Sequence, residues 1–414
     1  MAKAIERNKY MKKLTAIISL ILFIATAIPT YAGEDSLDNA SLIEYYYSLS
    51  NGEIPVLSTL ANPELKINGK GMVLIEASTG TILYENKKDE KLPPASVTKV
   101  MTMLLVMEAV DSEKISLEDK VSASAHAVSM GGTQIYLELG ETMTVHELLK
   151  AVAVPSANDA AVALAEYIAG SESEFVRLMN KRASELGMVN TNFTNCTGLF
   201  DDNEHYTTAY DLALATKELL THNKILEYTT IWMDSLRNGE FGLANTNKLL
   251  RTYSGMNGMK TGYTQLAGHC LSGTAQRNGM QLIAVVLGSP TSQDRFSAVS
   301  TMLDYGFSTY SVINEIPSIP ESIPVNKGKL KSVKIGANET LNMVVPKGVE
   351  KNLTKTIELT DCLEAPIEIG ENIGAITYKL DDKIIKVIPI SVMENCEKAK
   401  FSDYLIEILK EILI

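Results

Sequence analysis

The sequence predicts an α/β (α+β) domain, a mostly antiparallel sheet covered by helices, followed by a small all-β domain and a C-terminal amphipathic helix. Three observations lead there. Strand-like apolar runs stand at both ends of residues 65–312 while the middle has helical spacing, so one sheet is built from both ends with helices on its faces. Three prolines within Ile316–Pro324 then interrupt every period. Beyond them come short β-rich runs and, last, an apolar stripe at helical spacing.

The 414 residues are enough for two domains. Net charge is −12, and the first 32 residues hold five Lys/Arg against one Glu, which leaves −16 on the remainder. An acidic chain lacks the basic face that phosphate neutralisation needs, so nucleic acid is not an expected partner. Residues 1–32 read as an export signal: basic up to Lys12-Lys13, apolar from Leu14 to Ile28, and small at Thr30-Tyr31-Ala32. A retained membrane anchor is the alternative, broken by Pro29.

A polar, Tyr-rich lead (33–64) precedes a hairpin of Met72–Ile75 and Thr81–Tyr84 around Ser78-Thr79-Gly80. Pro93-Pro94 breaks the chain. A buried helix then starts at or beside Ser96, with Val100, Met103, Leu104 and Met107 at helical spacing. Helices are expected at 144–154, 160–169, 172–186 and 208–220. Strands return at Cys270–Ala275 and Leu282–Leu287 across the Asn278-Gly279 turn, and a helix follows from about Arg295 to Tyr305. A stiff linker (313–325) leads to the all-β domain (326–396), with strands at 332–335, 341–345, 355–359, 375–380 and 383–388 and a hairpin tip at Asp381-Asp382. Residues 397–414 align Phe401, Tyr404, Leu405, Ile408, Leu409, Ile412 and Leu413 on one stripe. That helix is too short and too charged to span a bilayer, and is expected to lie in the membrane surface, the alternative being a helix docked on the β domain.

Cys196, Cys270, Cys362 and Cys396 are too few for a disulfide framework. Cys362 and Cys396 can pair, or both can be buried free thiols. No Cys-x-x-Cys or His-Glu-x-x-His spacing occurs, so neither metal nor other cofactor is expected.

Three motifs carry chemistry. In Ser96-Val97-Thr98-Lys99 the two functional residues are three apart, so a helix places the Lys99 amine beside the Ser96 hydroxyl, a poor nucleophile without a base. The first turn of that helix also frees the Ser96 N–H to polarise a carbonyl. Ser-x-x-Lys alone is common by chance. To act as a base Lys99 must shed its proton, which requires desolvation, suggested by Met101, Met103 and Leu104, or a second cation, which Lys260 supplies if folded beside it. Ser156-Ala157-Asn158 follows Pro155 in a helix–helix turn. There Ser156 can relay a proton to a leaving amine and Asn158 bind a substrate amide, or Asn158 or Asp159 can simply cap the next helix. Lys260-Thr261-Gly262, at the start of an edge strand, offers a cation and a hydroxyl for a carboxylate, a glycine for close approach, and the Tyr263 N–H as second oxyanion donor. No Gly-x-Ser-x-Gly elbow occurs, and His126, His146, His205, His222 and His269 form no triad motif and read as surface or core residues.

Together with Gly131-Gly132-Thr133-Gln134-Ile135-Tyr136, these motifs resemble the low-molecular-mass penicillin-binding proteins of the serine-type D-alanyl-D-alanine carboxypeptidase family. The resemblance covers nearly the whole chain. It implies a penicillin-binding/β-lactamase-like transpeptidase fold and removal of the terminal D-alanine from peptidoglycan pentapeptides through an acyl-enzyme on Ser96. It also implies covalent inhibition by β-lactams, residence at the extracytoplasmic face of the cell membrane, and a role for Arg295 in holding the substrate carboxylate. A class A-like β-lactamase is the nearest alternative; its Glu-x-x-Leu-Asn element has no counterpart between Glu166 and Asn180. A non-catalytic penicillin-fold sensor or wall-binding protein is the other.

Overall fold

The computed structural model describes residues 63–199, 202–404 and 406. The expected export signal, nearly all of the polar lead, and residues 405 and 407–414 of the terminal helix lie outside the described residues.

The hairpin forms as expected from β1 (Gly71–Glu76) and β2 (Ile82–Asn86). The helical middle supplies α1 (Lys99–Asp111), α2 (Val145–Ala153), α3 (Asn158–Ala169), α4 (Glu172–Glu185) and α5 (Ala209–Thr221). The chain then returns through β3 (Met256–Thr264), β4 (Gly268–Arg277), β5 (Met280–Ser289) and α6 (Ser292–Thr309). The five strands form one antiparallel sheet in the order β2-β1-β5-β4-β3, so the two ends of the domain meet where Gly71 faces Leu287.

Successive strand residues point to opposite faces, and both faces are covered. Met72, Leu74, Leu282 and Val286 pack against Val299, Met302 and Leu303 of α6. Val73, Ile75, Ile283 and Val285 look the other way, into the helical half with α1 and α5. Nine of the thirteen α1 residues, Lys99 among them, are buried, as in a helix enclosed by its own domain. Each buried Val, Leu or Met contributes roughly 1.5–3 kcal/mol, enough to fix the helix that carries Lys99.

Two details differ from expectation. Ser96 lies in a 3-10 turn (Ala95–Thr98) that precedes α1, and Ala95 at its start takes φ 49, in the left-handed region. The helical middle also contains small strand pairs, Lys120–Ser122 with Thr142–Thr144 and Met233–Leu236 with Phe241–Ala244.

The second half contains β6 (Tyr310–Glu315), β7 (Ser322–Asn326), β8 (Ser332–Ala337), β9 (Leu341–Pro346), β10 (Leu353–Leu359), β11 (Leu363–Glu364), β12 (Asn372–Leu380) and β13 (Lys383–Val392). They make a β6–β9 pair and a six-stranded sheet, β10-β12-β13-β8-β7-β11, over a core that includes Val333, Ile376, Tyr378, Ile388 and Ile390. Asp381 and Asp382 form the β12–β13 tip with φ 48 and 64, the conformation of a tight hairpin turn. The connector is shorter than the stiff linker expected at 313–325. Ile313 pairs with Met343 inside β6, and Ile323 and Val325 alternate inward in β7, leaving only 316–321 between strands. The Ser78 hydroxyl reaches Asn342 at 3.2 Å, tying the first hairpin to this half.

Residues 401–404 are helical, and Phe401 is 82% exposed. Among the described residues no helix is long and apolar enough to cross a membrane. All four cysteines are free thiols: Cys362 and Cys396 are unpaired, and of the two only Cys396 is buried.

Candidate active site

The 3-10 turn presents Ser96 at the surface end of α1, where it keeps partial exposure while Lys99, one turn on, is fully buried. The Lys99 amine donates to Ser96 Oγ at 3.1 Å, to Asn158 Oδ1 at 2.6 Å and to the Thr197 carbonyl at 3.0 Å. Burial pushes this amine down to about 7, with Asp159 pulling in the opposite direction. About half of these amines are therefore neutral at neutral pH, and in that form the group can accept a proton.

Asn158 does not cap its helix. Ala157 is the N-cap residue of α3, with no side-chain cap, and the Asn158 amide instead bridges Lys99 to the Gly131 carbonyl at 2.8 Å. Its backbone N–H donates to Thr133, and the Asp159 carboxylate accepts from the N–H groups of Ile135 and Leu137. The 131–137 segment is thus fastened to the start of α3. Ser156 sits in the left-handed region at φ 77 and is 6% exposed, held in a turn whose next N–H, that of Ala157, donates to Ala151 of α2.

Lys260-Thr261-Gly262 lies in the body of edge strand β3, not at its start. Lys260 is 1% exposed and donates to the Thr261 carbonyl at 2.9 Å. Its amine is pushed well below the usual lysine range by burial, then by the charges of Lys99 and Arg295. The coupling expected between the two lysines is present but runs mainly toward Lys260, since burial accounts for Lys99. The Thr261 hydroxyl meets that of Thr246 at 2.6 Å. At Gly262 a Cβ would stand 2.8 Å from the Pro94 carbonyl and 3.0 Å from the N atoms of both Ser96 and Val97. Only glycine lets β3 pass this close to the serine turn. Tyr263, 59% exposed, stacks on His269 with ring centroids 4.4 Å apart.

Arg295 reaches this strand from the first turn of α6. It is 8% exposed and donates through Nη1 to the carbonyls of Gly262 (2.9 Å) and Cys270 (3.5 Å).

Several contributors carry no motif. Thr197 acts through its carbonyl, and Asn195 Oδ1 shapes that loop by accepting from the N–H groups of Thr197 and Gly198. The Asn195 and Gly198 at the ends of this segment signal a turn but not its partner. Among the described residues Glu108, Glu218 and His222 cluster at metal-ligand spacing, but Arg182 donates to both carboxylates and His222 engages Asp111, so their charges are already paired.

The arrangement joins a hydroxyl, a buried amine of lowered basicity, a second lysine and backbone N–H groups at one point, the requirements of serine acyl transfer. Residues 58–291 match the D-alanyl-D-alanine carboxypeptidase family (peptidase S11), and residues 307–398 match the penicillin-binding protein 5 C-terminal domain. D-alanyl-D-alanine carboxypeptidase DacF of Bacillus subtilis is 44% identical over 348 residues, covering 83% of this chain and 89% of that protein. Penicillin-binding protein 5 from Haemophilus influenzae superposes with a TM-score of 0.69 at 31% identity, over 82% of this chain and all of that one. Penicillin-binding protein D2 from Listeria monocytogenes, solved in an ampicillin-bound form, is 34% identical with a TM-score of 0.55, over 59% of this chain and 99% of that one. Fold and sequence agree on one conclusion: this chain belongs to the D-alanyl-D-alanine carboxypeptidase family of penicillin-binding proteins and is a serine-type D-Ala-D-Ala carboxypeptidase.

Proposed function

We propose that the protein removes the terminal D-alanine of peptidoglycan stem pentapeptides by way of an acyl-enzyme on Ser96. Neutral Lys99 takes the Ser96 proton as Oγ attacks the carbonyl of the penultimate D-alanine, and the N–H groups of Ser96 and Tyr263 hold the resulting oxyanion. The C–N bond to the terminal D-alanine breaks, its nitrogen receiving the proton through Ser156. Water then hydrolyses the ester and regenerates the hydroxyl. Lys260 and Thr261 hold the substrate carboxylate, with Arg295 adding positive potential beside Gly262, and Asn158 orients both Lys99 and the substrate amide. The observation that carries this reading is the 3.1 Å contact from a fully buried Lys99 amine to a partly exposed Ser96 hydroxyl.

β-Lactams acylate the same serine, because their ring amide imitates the D-Ala-D-Ala amide and the expelled amine stays tethered; the ampicillin-bound relative supports this. The same reading puts the protein at the extracytoplasmic face of the cell membrane, exported through residues 1–32 and held by its C-terminal segment 397–414, in which Phe401 and Ile406 are exposed.

A fluorescent penicillin should label the wild type and not Ser96→Ala, and D-alanine should be released from a diacetyl-Lys-D-Ala-D-Ala peptide. Labelling that persists in Ser96→Ala overturns the assignment of the nucleophile. Rapid penicillin turnover without D-alanine release would point to a β-lactamase, and stable labelling without release to a sensor.

A further inference from the structure

His205 is a buried titratable residue with no part in the chemistry above. It is 2% exposed and lies against the Phe193 ring, with centroids 5.7 Å apart. The Thr194 backbone N–H donates to Nδ1 at 3.0 Å, so Nδ1 carries no hydrogen and Nε2 carries it. Nε2 lies 2.8 Å from Thr98 Oγ1 and therefore donates to it. The Thr98 hydroxyl, left with its own hydrogen, donates to the Ala95 carbonyl at 2.8 Å. Burial pushes the imidazole down to about 4, which keeps this neutral tautomer in place at neutral pH.

The two ends of this relay reach both halves of the nucleophile–base pair. One end is the left-handed Ala95 carbonyl, the residue before Ser96. The other is Thr194, which begins the loop whose Thr197 carbonyl accepts from Lys99. The loop and the turn also touch directly, since a Cβ on Gly198 would stand 1.9 Å from the Ala95 oxygen.

We propose that His205 is a positioning residue for the acylation step: its imidazole, bonded to Thr194 on one side and through Thr98 to Ala95 on the other, sets the registry between the Ser96 hydroxyl and the Lys99 amine. The proposal rests on the acyl-enzyme reading above. The role is geometric, because His205 touches neither reacting atom, and its loss should appear in the acylation rate more than in substrate affinity.

The test compares wild type, His205→Ala, His205→Gln, Thr98→Val and the Thr98→Val/His205→Ala double variant. Acylation by a fluorescent penicillin, kcat and KM for D-alanine release, and melting temperature are measured for each. A wild type that acylates keeps the mechanism itself outside the question; one that does not would sink the mechanism first. His205→Ala and Thr98→Val should each slow acylation by about tenfold to a hundredfold, the scale of a misplaced catalytic pair, with KM within about threefold. Glutamine presents an N–H near the Nε2 position, so His205→Gln should recover most of the rate. The double variant should be no slower than the worse single one, since both break the same relay. Acylation within about threefold of wild type in folded His205→Ala or Thr98→Val overturns the proposal. So do losses that only track the folded fraction, or losses that multiply in the double variant. If His205→Ala does not fold, Thr98→Val decides the matter by the same criteria.

Discussion

The rate of Ser96 acylation at saturating penicillin should rise about tenfold per pH unit below neutrality and level off above it, because only the neutral Lys99 amine accepts the serine proton. An ordinary lysine titrates near 10.4 and is neutral in about one molecule in a few thousand at pH 7. Burial pushes Lys99 down to about 7, so about half the molecules carry the active base there, roughly a thousandfold gain. At pH 5.5 only about 3% remain neutral, and the rate should fall in proportion. The sharper perturbation is Asn158→Asp. It replaces the amide oxygen 2.6 Å from the Lys99 amine with a carboxylate, which favours the ammonium form. An opposite charge at that distance moves a pKa by about 1–3 units, here upward, so acylation at pH 7 should drop about fivefold to five-hundredfold and be partly restored near pH 9. Stopped-flow acylation between pH 5 and 10, at saturation so that carboxylate affinity through Lys260 does not enter, reads both curves. A flat wild-type profile between pH 5.5 and 8, or an Asn158→Asp limb that does not move, would refute the assignment of Lys99 as base.

Gly262→Ala should lower acylation by about 10²–10³ while circular dichroism stays native, since its Cβ would press on the N atoms of Ser96 and Val97 at 3.0 Å and push β3 from the oxyanion site. Gly198→Ala acts on stability: a Cβ 1.9 Å from the Ala95 carbonyl, at φ +68, should cost more than about 2 kcal/mol in denaturant unfolding, and an unchanged midpoint would show that the loop does not clamp the turn. Thiol titration of the native protein with an aromatic disulfide reagent should detect Cys362 alone, the one cysteine that is not buried, whereas denaturation should expose all four; fewer than four after unfolding would mean that a disulfide exists.

Much of this architecture was legible because it rests on periodicity and on side chains with few alternative uses. Val73 and Ile75 against Met72 and Leu74 announce a two-faced strand, and Lys99 three residues after Ser96 announces a base beside a hydroxyl. Illegible contributions came through the backbone or through distant partners. The Thr197 carbonyl has no residue-type signature, and nothing in the sequence near His205 names Thr98, 107 positions away. The 3-10 turn under Ser96 and the positive φ of Ala95 have no residue-type signature, and the neighbours of Ala95 there, Thr98 and Gly198, include one from a loop about 100 positions away. Proline content hid β6 and β7, whose inward alternation of Ile313, Ile323 and Val325 outweighs the breaks around them. The helix that carries Arg295 follows from the apolar spacing after Ser289, but no residue type in the sequence foretells the bond from its guanidinium to the Gly262 carbonyl.

The strand order has a consequence in time. β1 is complete early in the chain, yet its partner β5 lies more than 200 residues later, with Gly71 facing Leu287. A chain that emerges N-terminus first must therefore hold its first hairpin unpaired on one edge until the last strand arrives, a contact pattern that makes folding slow. During that interval Lys260 and Gly262 are not yet beside Ser96. A partly delivered polypeptide carries every catalytic residue type in its sequence and no catalytic site, so activity begins only where the whole domain has been released to close its sheet.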